Sequence, residues 1–275
     1  MAINIIKRIK NEGFLNEIKR LRVKSYFLLF KLRKHNISRS GFLRSFYGPL
    51  MYENWSDITF RFCLRGSYGI FFSNFLKQTD KEFIFLDIGA NQGLYSLIAS
   101  ENKKCSKTFS FEPVKKTVEI LKKNINRNGL SKKIRVIEYA VDSIQSDKRK
   151  IRIDPSHSGS ASLSKGVNFS SYEFIKTVNR KFIQKLNLSH NAEIIIKIDV
   201  EGNEINVLNE LVNLEFFDRV SVIYFEYDES SIDSEKILTF MKKNKFKIHH
   251  LKDSSSHTQY NIFALKENLI NHISI

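Results

Sequence analysis

The sequence predicts an α/β protein built on a doubly wound, mostly parallel sheet with helices on both faces. Two stretches indicate this class, residues 83–93 and residues 193–204. In each stretch an apolar run passes through an acid to a glycine, and a helical pattern follows. Such apolar runs are typical of strands buried on both faces, and strands that alternate with helices build parallel sheets. A chain of 275 residues, 42% of them hydrophobic, can bury one good-sized core.

Three segments are predicted along the chain. Residues 1–50 have a loosely amphipathic helical pattern with twelve Lys and Arg residues and two acids, so this segment carries +10 of the net charge of +16. Residues 51–80 are rich in aromatic side chains and are predicted to cap the core, and residues 59–64 alternate like a short strand. Residues 81–275 form the core domain. The basic segment indicates an anionic partner, such as lipid head groups, an acidic glycan or nucleic acid; a merely solvated helix face is the alternative.

The core domain is predicted to alternate strands and helices, with one interruption. After the opening strand, the predicted elements are strands at 108–112, 134–141 and 220–226, helices at 114–128 and 234–244, and an antiparallel pair at 246–250 and 260–265. The interruption comprises a charged loop at 142–150, a short strand at 151–153, a polar connection or lid at 156–162 and a helix at 172–188.

The turn after the opening strand indicates the kind of cofactor. A dinucleotide-binding turn has the pattern G-x-G-x-x-G, whereas this turn has Gly89 and Gly93 with Asn91 at the middle position. Asp87 at the strand end suits a cationic or hydrogen-bond-donating ligand better than a pyrophosphate. Glu112, which ends the next strand, is placed to accept hydrogen bonds from ribose hydroxyls. These features predict S-adenosylmethionine; a doubly wound domain with surface acids at its strand ends is the alternative.

A second group of charged residues lies within residues 193–204. Lys197, Asp199, Glu201 and Glu204 gather around the carboxyl end of the predicted strand, where ligands of open α/β sheets bind. Acids at a helix start can simply complement the helix dipole. That alternative explains Glu204 well and Asp199 less well, because Asp199 precedes the helix.

Other features exclude several classes of protein. Cys63 and Cys105 are too few for a disulfide framework and lack metal-site spacing, which suits a reducing compartment. The sequence shows no signal-peptide pattern and no apolar run near the roughly 20 residues of a membrane span. We therefore expect a cytoplasmic protein, with attachment to the inner face of the membrane as an option. No metal site is expected from the scattered histidines, although a divalent ion between Asp199, Glu201 and Glu226 is chemically feasible.

Several blocks of the sequence resemble the FkbM family of S-adenosylmethionine-dependent methyltransferases. The resemblance covers residues 83–226 in order and leaves residues 1–75 uncovered. Its blocks are residues 86–93 with Tyr95, residues 111–113 with Leu121 and Asn124, residues 159–163, residues 196–202 with Glu204, and the strand that ends at Glu226.

The resemblance implies a class I methyltransferase fold with a seven-stranded sheet and O-methylation, usually of a hydroxyl on a sugar, a glycolipid or a polyketide. It implies that the turn at residues 89–93 holds the amino-acid end of the cofactor, that Glu112 holds the ribose and that residues 140–142 border the adenine. The implied cofactor-binding residues are Asp87, Gly89, Ala90, Asn91, Gly93, Glu112, Pro113, Val141 and Asp142.

The implied reaction assigns roles to the second charged group. A hydroxyl nucleophile must lose its proton, and Asp199 is the first candidate for the base, with Glu201 second. Lys197 would lower the pKa of the hydroxyl or fix the substrate. The expected partner is therefore a small-molecule or glycan hydroxyl acceptor, with an anionic membrane surface as a further partner of residues 1–50.

Three other functions remain open. A nucleic-acid methyltransferase would explain the charge, but the Asn/Asp-Pro-Pro-aromatic loop of amino-group methylation is replaced by residues 199–202, whose carboxylates repel phosphates. A non-catalytic basic binder of membranes or nucleic acid is disfavoured because the strand-end acids are all present. A nicotinamide oxidoreductase is weakened by Asn91.

Overall fold

The computed structural model describes residues 13–33, 37–163, 171–186, 188, 192–251 and 259–267. In spatial order, the strands of the central sheet are β12 (Phe246–Leu251), β13 (Gln259–Lys266), β11 (Val220–Asp228), β10 (Glu193–Ile198), β3 (Phe83–Ile88), β4 (Cys105–Phe111) and β5 (Ile134–Ile137). Strands β3, β4, β5, β10 and β11 run parallel, and β13 is antiparallel to both of its neighbours. The predicted α/β class, the seven-stranded sheet and its antiparallel closing pair are confirmed.

Helices cover both faces of this sheet. They are α1 (Gly13–Arg33), α2 (Ile58–Arg65), α3 (Phe71–Gln78), α4 (Leu94–Glu101), α5 (Lys115–Arg127), α6 (Arg180–Ile183), α7 (Glu204–Leu211) and α8 (Ser234–Lys243), with a 3-10 turn at Glu215–Arg219. Strand β3 explains why two layers form, since successive side chains point to opposite faces. Phe83 and Phe85 pack with α4, whereas Ile84 and Leu86 pack with α7 on the other face.

Residues 59–64 form a helix, so the predicted strand is wrong. Asp57 begins α2, because its carboxylate accepts a hydrogen bond from the backbone N–H of Thr59. Gly66, in the left-handed conformation, ends the helix with a bond from its N–H to the carbonyl of Phe62. A pattern of only six residues is compatible with the period of a strand and with that of a helix. The capping residues Asp57 and Gly66 stabilise the helix.

The part of the chain between β5 and β10 forms a second sheet. Several predictions for this part are therefore wrong. Its spatial order is β6 (Ala140–Val141), β9 (Ser171–Val178), β7 (Ser146–Asp154) and β8 (His157–Ser162). The predicted strand at 134–141 therefore breaks after Ile137. Strand β7 takes up residues 146–150 of the predicted charged loop and contains the predicted strand at 151–153, and β8 occupies nearly all of the predicted connection or lid at 156–162.

The helix predicted at 172–188 is also wrong, because β9 occupies residues 172–178 of that range and, of its described residues, only α6 (Arg180–Ile183) is helical. Along β9 the exposed side chains of Tyr172, Phe174 and Lys176 alternate with less exposed ones, which is a strand period.

The amino-terminal part of the chain packs on the core through aromatic residues. The ring of Phe30 stacks on Trp55 with centroids 4.3 Å apart, and Phe27 meets the same ring edge-on at 5.2 Å. Strands β1 (Phe42–Arg44) and β2 (Leu50–Tyr52) form a small antiparallel pair. Residues 1–12 and 34–36 of the predicted basic extension lie outside the described residues, and the boundaries at 50 and 80 stay predictions. Among the described helices, none is both long and apolar enough to cross a membrane.

Candidate active site

The turn after β3 is tied to the end of β4. The backbone N–H groups of Gly89 and Ala90 both donate to the carbonyl of Phe111, at 3.0 and 2.9 Å. Gly89 has a φ of 79°, and a Cβ at this position would collide with the backbone carbonyl of Asp199. Asn91 also has a positive φ, 49°, which Asn tolerates better than most residues. The glycine therefore lets the end of β10 approach the turn closely.

Glu112 is held in the same place by backbone hydrogen bonds. One of its carboxylate oxygens accepts from the N–H of Asn91 at 2.9 Å, and the other from the N–H of Val114 at 3.0 Å. Burial raises the pKa of Glu112 to about 7, and the two N–H bonds oppose that rise. Because a carboxylate can accept about four hydrogen bonds, both oxygens keep acceptor capacity for hydroxyl groups.

Five of the nine predicted cofactor residues line a first cavity beside the turn. They are Gly89, Asn91, Glu112, Pro113 and Val141. The wall is completed by residues that the sequence did not single out for this role, among them Tyr139, Ile151, Ser158, Ala161 and Leu163.

The other four predicted cofactor residues lie around the first cavity without lining it. Asp87 is fully buried behind the turn, where it accepts from the hydroxyl of Ser96 at 2.5 Å. Gly93 begins α4, Ala90 lines a neighbouring cavity, and buried Asp142 faces Arg149 at 3.4 Å. Asp87 therefore does not face a ligand in the first cavity, and any effect that it has on one passes through the turn.

A second cavity, of about 200 Å³, adjoins the first. Asn91, Gly159 and Asp199 line both cavities, so a group held at these residues can face either one. Seven of the other lining side chains are aromatic or charged: Phe62, Tyr68, Tyr95, His157, Lys197, Glu201 and Glu226. The remaining ones are small, aliphatic or neutral polar: Thr59, Cys63, Ala90, Gln92 and Leu94. The structure thus places all three predicted catalytic residues, Lys197, Asp199 and Glu201, in one cavity.

Three carboxylates converge in the second cavity. One oxygen from each of Asp199, Glu201 and Glu226 lies within 4.8 Å of the others. Burial, followed by the charges of Asp199 and Glu226, raises the pKa of Glu201 to about 9. Burial and the charge of Asp199 likewise raise the pKa of Glu226 to about 7. Such a group can share and transfer protons near neutral pH, and its oxygens could also hold a divalent cation.

Lys197 sits beneath this group and is almost fully buried. Its ammonium lies 3.0 Å from Asp199 and 3.6 Å from Asp87, and it donates to the carbonyl of Gly89 at 3.1 Å. Burial alone would lower the pKa of Lys197, but the charges of Asp199 and Asp87 raise it. Lys197 therefore stays charged and joins the turn to the carboxylates.

Hydrogen bonds to Asp57 connect the second sheet to the turn after β3. The carboxylate of Asp57 accepts from the side-chain amide of Gln92 at 2.8 Å and from the N–H of Ser158 at 3.2 Å. The hydroxyl of Ser158 donates to Oδ1 of Asn91 at 3.0 Å. The sequence did not single out Asp57 and His157 as site residues, because they carry no local motif. It indicated Glu226 only as a feasible ligand of a divalent ion and gave it no catalytic role.

An outer groove of about 690 Å³ continues from the carboxylates. Glu201 and Glu226 line both the groove and the second cavity. The rest of the groove is rich in hydroxyls and acids, including Ser160, Ser162, Ser230, Ser231, Glu204, Asp228 and Asp233. A ligand in the second cavity can therefore extend into a polar groove.

The parallel sheet, the glycine turn and the acid at the end of the next strand define a class I, Rossmann-like methyltransferase. The chain belongs to the FkbM methyltransferase family, since the model of the FkbM methyltransferase domain matches residues 87–248. It is thus an S-adenosylmethionine-dependent methyltransferase. The first cavity fits this cofactor, because Glu112 in its wall keeps acceptor capacity for ribose hydroxyls.

Several solved structures are similar to the chain at low sequence identity. A methyltransferase FkbM from Methylobacillus flagellatus KT is 15% identical with a TM-score of 0.47, over 78% of this chain and 48% of that chain. M. jannaschii TYW2 in complex with AdoMet is 12% identical with a TM-score of 0.46, over 79% of this chain and 81% of that chain. M. capricolum TrmK in complex with S-adenosylhomocysteine is 14% identical with a TM-score of 0.44, over 72% and 68%. No curated protein matches the chain.

Proposed function

We propose that this methyltransferase transfers a methyl group to a hydroxyl of a sugar, a glycolipid or a related small molecule. The observation that carries the proposal is the convergence of Asp199, Glu201 and Glu226 beside the turn at Gly89. A hydroxyl has to lose its proton as it is methylated, and carboxylates within one cavity can accept it. Aromatic rings such as Tyr68 and the hydroxyl-rich outer groove suit an acceptor with apolar faces and many hydroxyls.

Each candidate residue has a distinct task in this proposal. When bound, S-adenosylmethionine supplies an electrophilic methyl group on a sulfonium. Gly89 and its neighbours in the turn would hold the amino-acid end of the cofactor, Glu112 would accept hydrogen bonds from the ribose, and Ala140 and Val141 would border the adenine. Alignment of the acceptor oxygen with the methyl group is the largest contribution that such a site makes.

The acceptor proton goes to a carboxylate of the second cavity. Asp199 is the first candidate, because it is the one carboxylate of the three that lines the first cavity as well as the second. Burial and the charges of Asp199 and Glu226 raise the pKa of Glu201, which favours its protonated form and suits a hydrogen-bond donor to the acceptor. Lys197 already has three partners, Asp87, Asp199 and the carbonyl of Gly89. Its role is therefore to orient Asp199 and not to contact the substrate directly.

Nucleic acid is the alternative acceptor, and the basic amino-terminal segment is the feature that favours it. The acids of the second cavity and outer groove argue against it, because they would repel a phosphate backbone. A hydroxyl acceptor without phosphates meets no such repulsion.

Transfer of labelled methyl from S-adenosylmethionine to an extract of the host cell tests the proposal. We expect label in the nuclease-resistant fraction that contains glycans and glycolipids, and its loss with the Asp199→Asn variant. Label that disappears with nuclease would replace the proposal with nucleic-acid methylation. Label in protein or in no fraction would also contradict it.

A further inference from the structure

Helix α1 carries apolar side chains on two opposite faces. One face is part of the core: Val23 is buried, and Phe27 and Phe30 pack on Trp55. The guanidinium of Arg65 lies over the ring of Phe27, 4.3 Å from its centroid. This face fixes the helix on the body of the protein and fixes which side of it points outward.

The outward face is a stripe of large aliphatic side chains. The exposed fractions are 48% for Ile18, 62% for Leu21, 60% for Leu28, 39% for Leu29 and 72% for Leu32. Their spacing of three, seven, one and three residues places them on one side of an α-helix, about half a turn from Val23 and Phe30. Five such residues on one helical face exceed the scattered apolar side chains of an ordinary surface.

Basic residues border this stripe. Arg20, Lys24 and Lys31 are exposed and follow the helix along one edge of it. No acid occurs between Ile18 and Leu32 in the sequence. An aliphatic stripe with a cationic edge is complementary to a lipid surface, because the leucines can enter the acyl boundary while the cations meet anionic head groups.

We propose that α1 lies in the plane of an anionic membrane surface and holds the enzyme there through the stripe Ile18–Leu21–Leu28–Leu29–Leu32. A second copy of the chain is a weaker occupant, since two such faces packed together would bring Arg20, Lys24 and Lys31 near their own copies. The helix packs on α2, whose Phe62 lines the second cavity. If the proposed function holds, α1 therefore connects the membrane-bound face to a helix that lines the acceptor cavity.

Vesicle binding by the full chain tests this proposal without any methyl transfer, so it can fail or succeed independently of the proposed function. The probes are vesicles of phosphatidylcholine alone and of phosphatidylcholine with an equal amount of phosphatidylglycerol. We expect binding to the anionic vesicles, and at least about tenfold weaker binding by the double variant Leu28→Gln/Leu32→Gln, whose side chains no longer enter the acyl boundary. Lys24→Gln/Lys31→Gln should weaken binding on the order of tenfold.

Two controls make the result specific. Ile232→Gln removes a side chain that is 90% exposed but lies near Asp228 and Asp233, and it should bind vesicles as the parent protein does. Circular dichroism and thermal unfolding should be unchanged in all variants, because the replaced side chains are exposed. Binding unaffected by Leu28→Gln/Leu32→Gln would overturn the proposal. The proposal would also be overturned if the parent protein did not bind anionic vesicles but formed a dimer, and if Leu28→Gln/Leu32→Gln dissociated that dimer.

Discussion

The ammonium of Lys197 lies 3.0 Å from the carboxylate of Asp199, two residues further along the chain. The same ammonium lies 3.6 Å from Asp87, which is fully buried. One cation therefore balances a carboxylate of the core and a carboxylate of the second cavity. The stability of the sheet and the charge of the candidate site are coupled through this single side chain.

Replacement of Lys197 with Met should lower the free energy of unfolding by about 3–5 kcal/mol, because the charge of Asp87 is left buried without its cation. Burial already raises the pKa of Asp87, and Lys197 opposes that rise. Denaturant unfolding at pH 7 measures the change.

A matched surface pair provides the control for this prediction. Lys122 and Glu138 are also paired, but about half of each side chain is exposed. Lys122→Met should change the stability by less than about 1 kcal/mol. The double variant Lys197→Met/Asp87→Asn should recover much of the loss, because no charge is then stranded. Equal stability of Lys197→Met and Lys122→Met would contradict the buried-pair explanation.

Glu112→Gln should weaken the binding of S-adenosylhomocysteine by about 10- to 100-fold, since hydrogen bonds to a charged group contribute about 1.5–3 kcal/mol. The pH dependence has a definite sign. Burial raises the pKa of Glu112 to about 7, so the carboxylate gains a proton as the pH falls below 7 and accepts hydroxyl hydrogen bonds less well. The affinity of the parent protein should therefore rise from pH 6 to pH 8. Titration calorimetry at both pH values checks this.

The Glu112→Gln variant itself controls for other titrating groups. Its affinity should be nearly independent of pH over the same interval. An identical pH dependence in parent and variant would mean that another group, and not Glu112, senses the pH.

The central sheet could be predicted because its strands are continuous apolar runs, as in β3, and such runs fit few alternatives to a strand buried on both faces. The strand-end acids followed from the same argument, since parallel strands bring their carboxyl ends to one edge. The convergence of Asp199 and Glu201 in one cavity was predictable for that reason.

The second sheet could not be predicted in the same way. Its strands β7 and β8 are polar and only partly buried, so they lack the apolar signal of a strand. His157 lies in β8 and reaches the site because this sheet folds over the turn, whereas Asp57 reaches it from the start of α2. No spacing in the sequence links either residue to Gln92. The conformation of β7 and β8 and the positions of Asp57 and His157 depend on tertiary packing, which the local sequence does not reveal.

Asp199→Asn should lower kcat by roughly 10²–10⁴-fold while the affinity for S-adenosylhomocysteine stays unchanged, as expected for the loss of a general base. Single-turnover methyl transfer to the acceptor, with calorimetry for binding, separates the two effects. Near-normal turnover would exclude Asp199 as the base. Glu226 would then be the stronger candidate, because its pKa of about 7 predicts a rate that rises with pH through neutrality and loses that rise in Glu226→Gln.

Gly89→Ala should abolish cofactor binding and destabilise the fold, whereas Gly129→Ala should only destabilise it slightly. Both glycines have a positive φ, 79° and 70°, so an alanine is strained at either position, at about 1–2 kcal/mol. The positions differ in their surroundings: a Cβ at Gly89 would strike the backbone of Asp199, and a Cβ at Gly129 would meet no atom within 4 Å. Backbone strain is common to both variants. The difference between them in stability and in cofactor binding therefore measures the effect of the close approach of β10 to the turn. Thermal unfolding with and without S-adenosylhomocysteine measures both effects, and equal behaviour of the two variants would show that this approach does not shape the site.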